Sequence, residues 1–339
     1  MHFDLNDDQR QIQRTARELL STRSSFERVR RAAEHGRYDE ELWRELCELG
    51  WPGTAIDEAH GGQGLGMVEL AVLLEELGYA VAATPFLGSV LAALAIQAAG
   101  SEAQRERWVP GLAAGQLRGA LGVLSDGVAE LVPDAAGADV VVLADPASGR
   151  ATVLSGDAVE PVEAIDPTRR YGHVRAGGEG EQLENGAAAG VDRALVAASA
   201  ELLGVSQRAL DMTVAYVKER KQFGVPVGSF QAVQHRAAQM LLDAEGGRGA
   251  VYYAAWAAGA APERLEEAAS MAKAWTSQAA KSTTAAAIQL HGGIGFTWEA
   301  DVHWLFKRAQ LGARFLGGAG VHHLRLAQAA ARRPAHALG

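Results

Sequence analysis

The sequence predicts a mainly α-helical protein with a small β domain between helical regions, and three observations carry that prediction. Hydrophobic residues fill 48% of 339 positions while aromatics fill only 6%. The apolar share is dominated by Ala and Leu, which favours helix packing over a β-sandwich. Apolar residues recur at helical spacing from Asp7 to about Ala114 and again from about Asp192 onward. Between roughly Arg118 and Gly178 that periodicity gives way to short β-type runs. A chain of this length exceeds what a single core usually fills, so subdomains are expected. They divide as residues 1–117, helical; 118–185, a reduced middle β domain; and 186–339, a helical bundle.

In the first region Leu19, Leu20, Leu42, Leu46 and Leu49 fit helical faces. Gly50, Gly78 and Gly100 each follow an apolar-periodic run, as C-caps do. The stretch Glu58 to Gly66 is rich in glycine, but it follows no strand and lacks the Lys-Ser/Thr ending of a phosphate-binding loop, so it reads as a turn. In the middle, Ala138 to Ala144 and Arg150 to Leu154 are β-type runs separated by Asp, Gly and Pro. Gly177, Gly178 and Gly180 then lead into a long helix whose face is marked by Ala197, Ala198, Leu202, Leu203, Val205, Ala209, Leu210 and Val214.

Composition excludes several classes. A formal net charge of −9 offers no basic stripe for nucleic acid. The start, Met1 to Asp8, is acidic and without an apolar core, and no run is long enough to cross a bilayer, so a cytoplasmic, non-membrane protein is expected. A single cysteine, Cys47, excludes an intrachain disulfide and is too few for a metal cluster. Set at helical spacing among Leu42, Trp43 and Leu46, it reads as a small packed hydrophobe and not as a catalytic thiol.

Two segments carry chemistry. Residues 216–236, Tyr-Val-Lys-Glu-Arg-Lys-Gln-Phe-Gly-Val-Pro-Val-Gly-Ser-Phe-Gln-Ala-Val-Gln-His-Arg, read as a helix interrupted between Gly224 and Gly228 and restarted with Ser229 as its cap. They place a cation, Arg220, near an aromatic, Phe223, before a fresh helix N-terminus, an arrangement suited to a dinucleotide pyrophosphate. Arg220 also has a plainer reading, a surface arginine paired with Tyr216 or a nearby acid, and Phe223 a reading as core packing. Residues 289–299, Gln-Leu-His-Gly-Gly-Ile-Gly-Phe-Thr-Trp-Glu, hold glycines that let backbone N–H groups approach a ligand. His291 reads as a packing or capping residue beside that loop.

Together, with the helical N-terminal third, these segments closely resemble the acyl-CoA dehydrogenase family over nearly the whole chain. The resemblance implies an N-terminal helical domain, a middle β domain and a C-terminal four-helix bundle, with FAD bound across a subunit interface. It implies cofactor-binding roles for Arg220, Gln222 and Phe223 on the FAD pyrophosphate of a neighbouring subunit's site. Gln231 follows from the Ser-Phe-Gln run, and Gln289, Gly292, Gly293 and Gly295 form the loop at the adenosine end. The family reaction is α,β-desaturation of an acyl-CoA thioester, with a Glu removing the α-proton while hydride leaves to the flavin.

Departures from the family pattern are as informative. Where the family carries its Glu in a Tyr-Glu-Gly-Thr turn, this chain reads Phe315-Leu316-Gly317-Gly318, with Gly318 at the acid's position. The alternative position of the base, on an earlier helix, aligns with Leu195. No catalytic residue is therefore assigned; Asp192 and Glu201 lie nearby, but an offset along a helix turns a side chain away from the target. The Thr-Glu-Pro-x-x-Gly-Ser-Asp and Trp-Ile-Thr segments that hold the flavin ring have no counterpart between Arg118 and Gly178.

The chain thus looks like the short, beta-type subunit of actinobacterial heterotetrameric acyl-CoA dehydrogenases that act on steroid side-chain CoA esters. That resemblance implies a larger partner subunit carrying the Glu and most acyl-CoA contacts, and an electron-transfer flavoprotein as acceptor. Two other readings are a self-sufficient homo-oligomer using Asp192 or Glu201, and a structural paralogue that binds no flavin.

Overall fold

The computed structural model describes residues 4–177 and 179–332. Six helices come first: α1 (Asp7–Arg23), α2 (Phe26–Glu34), α3 (Glu40–Glu48), α4 (Met67–Tyr79), α5 (Phe86–Ala99) and α6 (Glu102–Ala113). Local chemistry starts several of them. Asn6 and Ser101 form capping boxes with Gln9 and Gln104, and Ser25 and Asp39 cap α2 and α3. α5 is buried on almost every side, which fits its unbroken run of Leu, Ala, Val and Ile. Gly50 does adopt the left-handed conformation after α3, and Gly100 is the C-cap of α5.

Gly78 departs from expectation: it lies inside α4 and caps nothing. Its role is close packing. An added Cβ would stand 2.1 Å from the Glu201 carbonyl oxygen, and one on Gly204 would stand 1.8 Å from the Glu75 carbonyl oxygen. The two glycines let α4 and the long helix α7 (Ala188–Glu219) cross backbone to backbone.

Among the described residues the middle region contains seven strands: β1 (Gly119–Val123), β2 (Val128–Val132), β3 (Val140–Asp145), β4 (Arg150–Ser155), β5 (Val159–Val162), β6 (Tyr171–Arg175) and β7 (Gly180–Gln182). They form one sheet in the order β1-β3-β4-β7 and a second in the order β2-β6-β5. Among the described residues only the β1–β3 pairing is parallel. Ala120, Val141, Leu143 and Leu154 from the first sheet meet Ala129, Val132 and Val174 from the second in a small core of their own.

After α7, a two-stranded hairpin, β8 (Lys221–Gln222) and β9 (Val225–Pro226), precedes α8 (Gln231–Ala260), α9 (Leu265–His291), α10 (Val302–Gly312) and α11 (Ala319–Arg332). Helices α7, α8, α9 and α11 pack as the bundle, and α10 lies against α7 and α9. Ser229 is not the cap of α8: its hydroxyl donates to the Pro226 carbonyl at 2.7 Å, and the N-cap is Phe230, without a side-chain cap. No helix among the described residues is long and apolar enough to cross a membrane.

Candidate functional site

Arg220 ends α7, and its backbone N–H donates to the Tyr216 carbonyl at 2.9 Å. The hairpin that follows turns on Phe223 (φ +53°) and Gly224 (φ +82°), the paired positive angles of a tight two-residue connection. Gly suits that turn; Phe does not, since a side chain there is strained by about 1 kcal/mol. Nor is Phe223 in the core: it is 93% exposed and meets the Phe230 ring in a T-shaped arrangement, at 6.3 Å between centroids. A strained, solvated Phe gains nothing for the fold of the single chain. Arg220, Gln222 and Gln231 are exposed as well.

The second segment folds as a 3₁₀ turn, Gly292–Phe296, at the end of α9. Gln289, Gly292 and Gly293 face solvent, with nothing within 4 Å of a Cβ added to either glycine. Gly295 is buried, and a Cβ there would stand 2.4 Å from the Ile288 carbonyl oxygen. Gly295 is therefore a packing glycine, whereas Gly292, at φ +65°, shapes the exposed rim. His291 joins the two segments. It hydrogen-bonds the Ala287 carbonyl through Nδ1 at 2.7 Å and stacks on Tyr216 at 4.4 Å. Burial lowers its pKa, which suits a neutral spacer. Tyr216 is the member that sequence reasoning missed as a link, because only the side-by-side ends of α7 and α9 reveal it.

Leu195 is buried in the core. Gly318 has only the Ala313 carbonyl oxygen, at 4.0 Å, near an added Cβ. Asp192 accepts from Arg325 at 2.8 Å, although burial still outweighs that guanidinium and raises its pKa.

Glu201 is held by two guanidinium groups, Arg169 and Arg308 (3.1 Å), in a buried network that spans all three regions. Asp134 accepts from Tyr38 (2.9 Å), the Gly88 backbone (2.9 Å) and Arg169 (2.5 Å). Asp166 accepts from Arg308 at 2.7 Å and from Thr168, and Arg308 also reaches the Thr168 hydroxyl at 2.5 Å. Burial raises the pKa of Asp134, while Arg308 and Thr168 overcome burial and lower that of Asp166. No local pattern in the sequence marks these partners, which lie as far as 142 residues apart in the chain.

The cleft between the β region and the bundle, lined by Tyr171, Glu201, Arg308, Leu311 and Phe315 among others, retains about 10 Å³ of free space. That is room for about one water molecule. A planar ring system or an acyl chain does not fit there. Cys47 is half-buried against the N-terminal core, and burial pushes its thiol up to about 11, away from reactivity.

Helices, a two-sheet middle region and a helical bundle, with a solvated hairpin and glycine turn at one bundle end, define the acyl-CoA dehydrogenase fold. The chain matches the acyl-CoA dehydrogenase N-terminal domain over residues 6–116 and the C-terminal domain over residues 187–331. It is 37% identical to acyl-CoA dehydrogenase IpdE2 of Mycobacterium tuberculosis, over 91% of this chain and 93% of that protein. The IpdE2 of Mycolicibacterium smegmatis is 35% identical, over 92% and 96%. Among solved structures, the Tcur3481-Tcur3483 steroid ACAD G363A variant superposes with a TM-score of 0.86 at 30% identity, covering 96% of this chain and 98% of that one. The ChsE4-ChsE5 complex from Mycobacterium tuberculosis does so with a TM-score of 0.89 at 25% identity, covering 99% and 100%. The chain belongs to the acyl-CoA dehydrogenase family of flavin-dependent oxidoreductases.

Proposed function

We propose that this chain is the subunit of a heteromeric, FAD-dependent acyl-CoA dehydrogenase that lends one end of a flavin site to a partner chain and does not house the reaction itself. The observation that carries this reading is a contrast within one molecule: the bundle end bearing Arg220, Phe223 and the Gly292–Phe296 turn is open and solvated, whereas its own interdomain cleft is filled. The resemblance of the chain to the IpdE2 proteins and to the two-component steroid structure adds support and favours a bulky CoA thioester as substrate.

FAD fits the open end and not the cleft. At the open end, Arg220 supplies a cation for the pyrophosphate and Phe223 an apolar ring face beside it. Gln222, Gln231 and Gln289 supply amide groups, and Gly292 and Gly293 leave the backbone bare for close approach. Gly295 contributes by keeping that turn pressed against α9. Bound flavin supplies the hydride acceptor for desaturation; this chain's residues bind, orient and exclude water, and hold no proton of the reaction. The partner provides the carboxylate, and an electron-transfer flavoprotein is the expected acceptor.

The test is the flavin-to-chain ratio of this protein alone and co-expressed with a full-length acyl-CoA dehydrogenase chain. No flavin alone and about one FAD per pair of unlike chains is the expected result. Full occupancy and desaturation by the lone chain would overturn the reading.

A further inference from the structure

The turn between α10 and α11, which the flavin half-site reading does not use, is held from two sides by buried nitrogen groups. From α9, Lys273 is fully buried; its Nζ lies 2.8 Å from the Ser277 hydroxyl, 3.0 Å from the Gly312 carbonyl oxygen and 3.3 Å from that of Ala313, where α10 ends. From α11, His322 is 1% exposed and hydrogen-bonds the Leu316 carbonyl through Nε2 at 3.0 Å. Leu316 itself stands at φ +60°, in the left-handed region that a bulky side chain rarely adopts.

Both nitrogen groups would be better served by water. An ammonium buried without an anion is disfavoured, and no acidic side chain acts on Lys273 among the described residues. Helix α10 presents backbone carbonyls to it and α11 presents His322, while no charged group of α7 or α8 shifts it. Arg325, the next cation on α11, is committed to Asp192 at 2.8 Å. Burial alone therefore lowers the lysine, to about 7. Burial first and Lys273 second push His322 down to about 4, so its ring is neutral. With Nε2–H donating to Leu316, Nδ1 is a buried acceptor without a hydrogen-bond partner among the described residues.

The three oxygens around Nζ suit either form of the lysine. A neutral amine donates to the two carbonyls and accepts from the Ser277 hydroxyl, and an ammonium donates to all three. What the proton changes is the cost of keeping the group from water, and that cost falls on the turn it holds.

We propose that Lys273 is a proton-controlled latch on the α10–α11 turn, closed while the amine is neutral and released to solvent when the amine takes up a proton. Release loosens one wall of the interdomain cleft, because Gly312 and Phe315, which line that cleft, lie on the segment that the latch holds. The latch does not depend on where flavin binds. An opened turn lets Nζ titrate in the ordinary lysine range, near about 10.4, whereas the closed turn holds it to about 7. Opening therefore grows about tenfold for each pH unit lost between those values and levels off below the lower one.

Amide hydrogen exchange of the full chain, corrected for intrinsic rates at each pH, reads this opening. Peptides covering residues 312–322 are expected to lose protection about tenfold from pH 9 to pH 8 and to change little below pH 6, while peptides of α7 and α8 keep theirs. Lys273→Met, which cannot take up the proton, should flatten that profile. Acylation of the wild type with an amine-reactive ester gives a second readout that needs no variant. Opening and deprotonation of the opened amine change by opposite factors, so labelling of Lys273 should stay nearly constant from pH 7 to pH 9. Labelling of the exposed Lys218 and Lys281 should rise about tenfold per unit over the same range. The same exchange profile in Lys273→Met and wild type, pH-independent protection of the turn in the wild type, or Lys273 labelling that is absent or rises as that of Lys281 does, overturns the latch.

Discussion

Phe223 stands where its own chain gains little from it. In the isolated chain its ring lies in water on a left-handed backbone, so removing it forfeits almost no packing. Phe223→Ala should therefore change unfolding free energy by no more than about 0.5 kcal/mol, as surface substitutions do. Flavin retention by the assembly should nonetheless fall, a split that parallel urea titration and absorbance of the purified complex would read; a large stability loss with normal retention would refute the assignment. Sequence reasoning found Phe223 from its motif but left core packing open, because hydrophobicity alone does not say which apolar residues lie outside. Ser229 failed differently: it has the right chemistry for a cap, but the short 3₁₀ turn Val227–Ser229 places it before the true N-cap. Asp192 and Glu201 were visible as acids, whereas their arginine partners come from distant segments and could not be paired from spacing.

Among the elements, the crossing of α4 and α7 is set by Gly78 and Gly204. Each helix offers a glycine to the other's backbone, and the reciprocal contact brings the N-terminal region tightly onto the bundle. Gly204→Ala would force the helices apart or bend them, costing about 1–3 kcal/mol or more, as overpacking does. Chemical denaturation would show it, and an unchanged midpoint would mean that the crossing is looser than its distances. Helix periodicity, the β runs and the glycine loop between α3 and α4 were legible because each is a local signal. The crossing was not: Gly78 follows an apolar run as a C-cap does, and only the approach of α7 reveals why a side chain is excluded there.

For the molecule as a whole, the network of Asp134, Asp166, Arg169, Glu201 and Arg308 ties the β region, the bundle and, through Tyr38, the N-terminal helices into one unit. Arg308 is 1% exposed, so its loss would leave the buried Asp166 without its guanidinium partner and Glu201 with Arg169 alone. Arg308→Met is expected to destabilise the protein by about 3–5 kcal/mol. Differential scanning calorimetry would register this as a lower midpoint for the entire chain, whereas early melting of the β region alone would contradict the coupling. The three-part order was readable from the changing hydrophobic period along the chain. The closure of the cleft was not, because it depends on charged groups brought together only when all three parts have folded.

The open space around Gly318 bears on how this lineage can change. Nothing within 4 Å except the Ala313 carbonyl oxygen would obstruct a larger side chain there, and the glycine is not among the positions with positive φ. A single substitution could thus place a side chain at that position with little cost to the fold. The nearby small gap of about 10 Å³ beside Arg308, Glu201 and Tyr171 is lined by Gly312 and Phe315 and not by Gly318. Steric room alone therefore does not keep a larger side chain out of position 318, and the glycine there is not demanded by backbone conformation or packing.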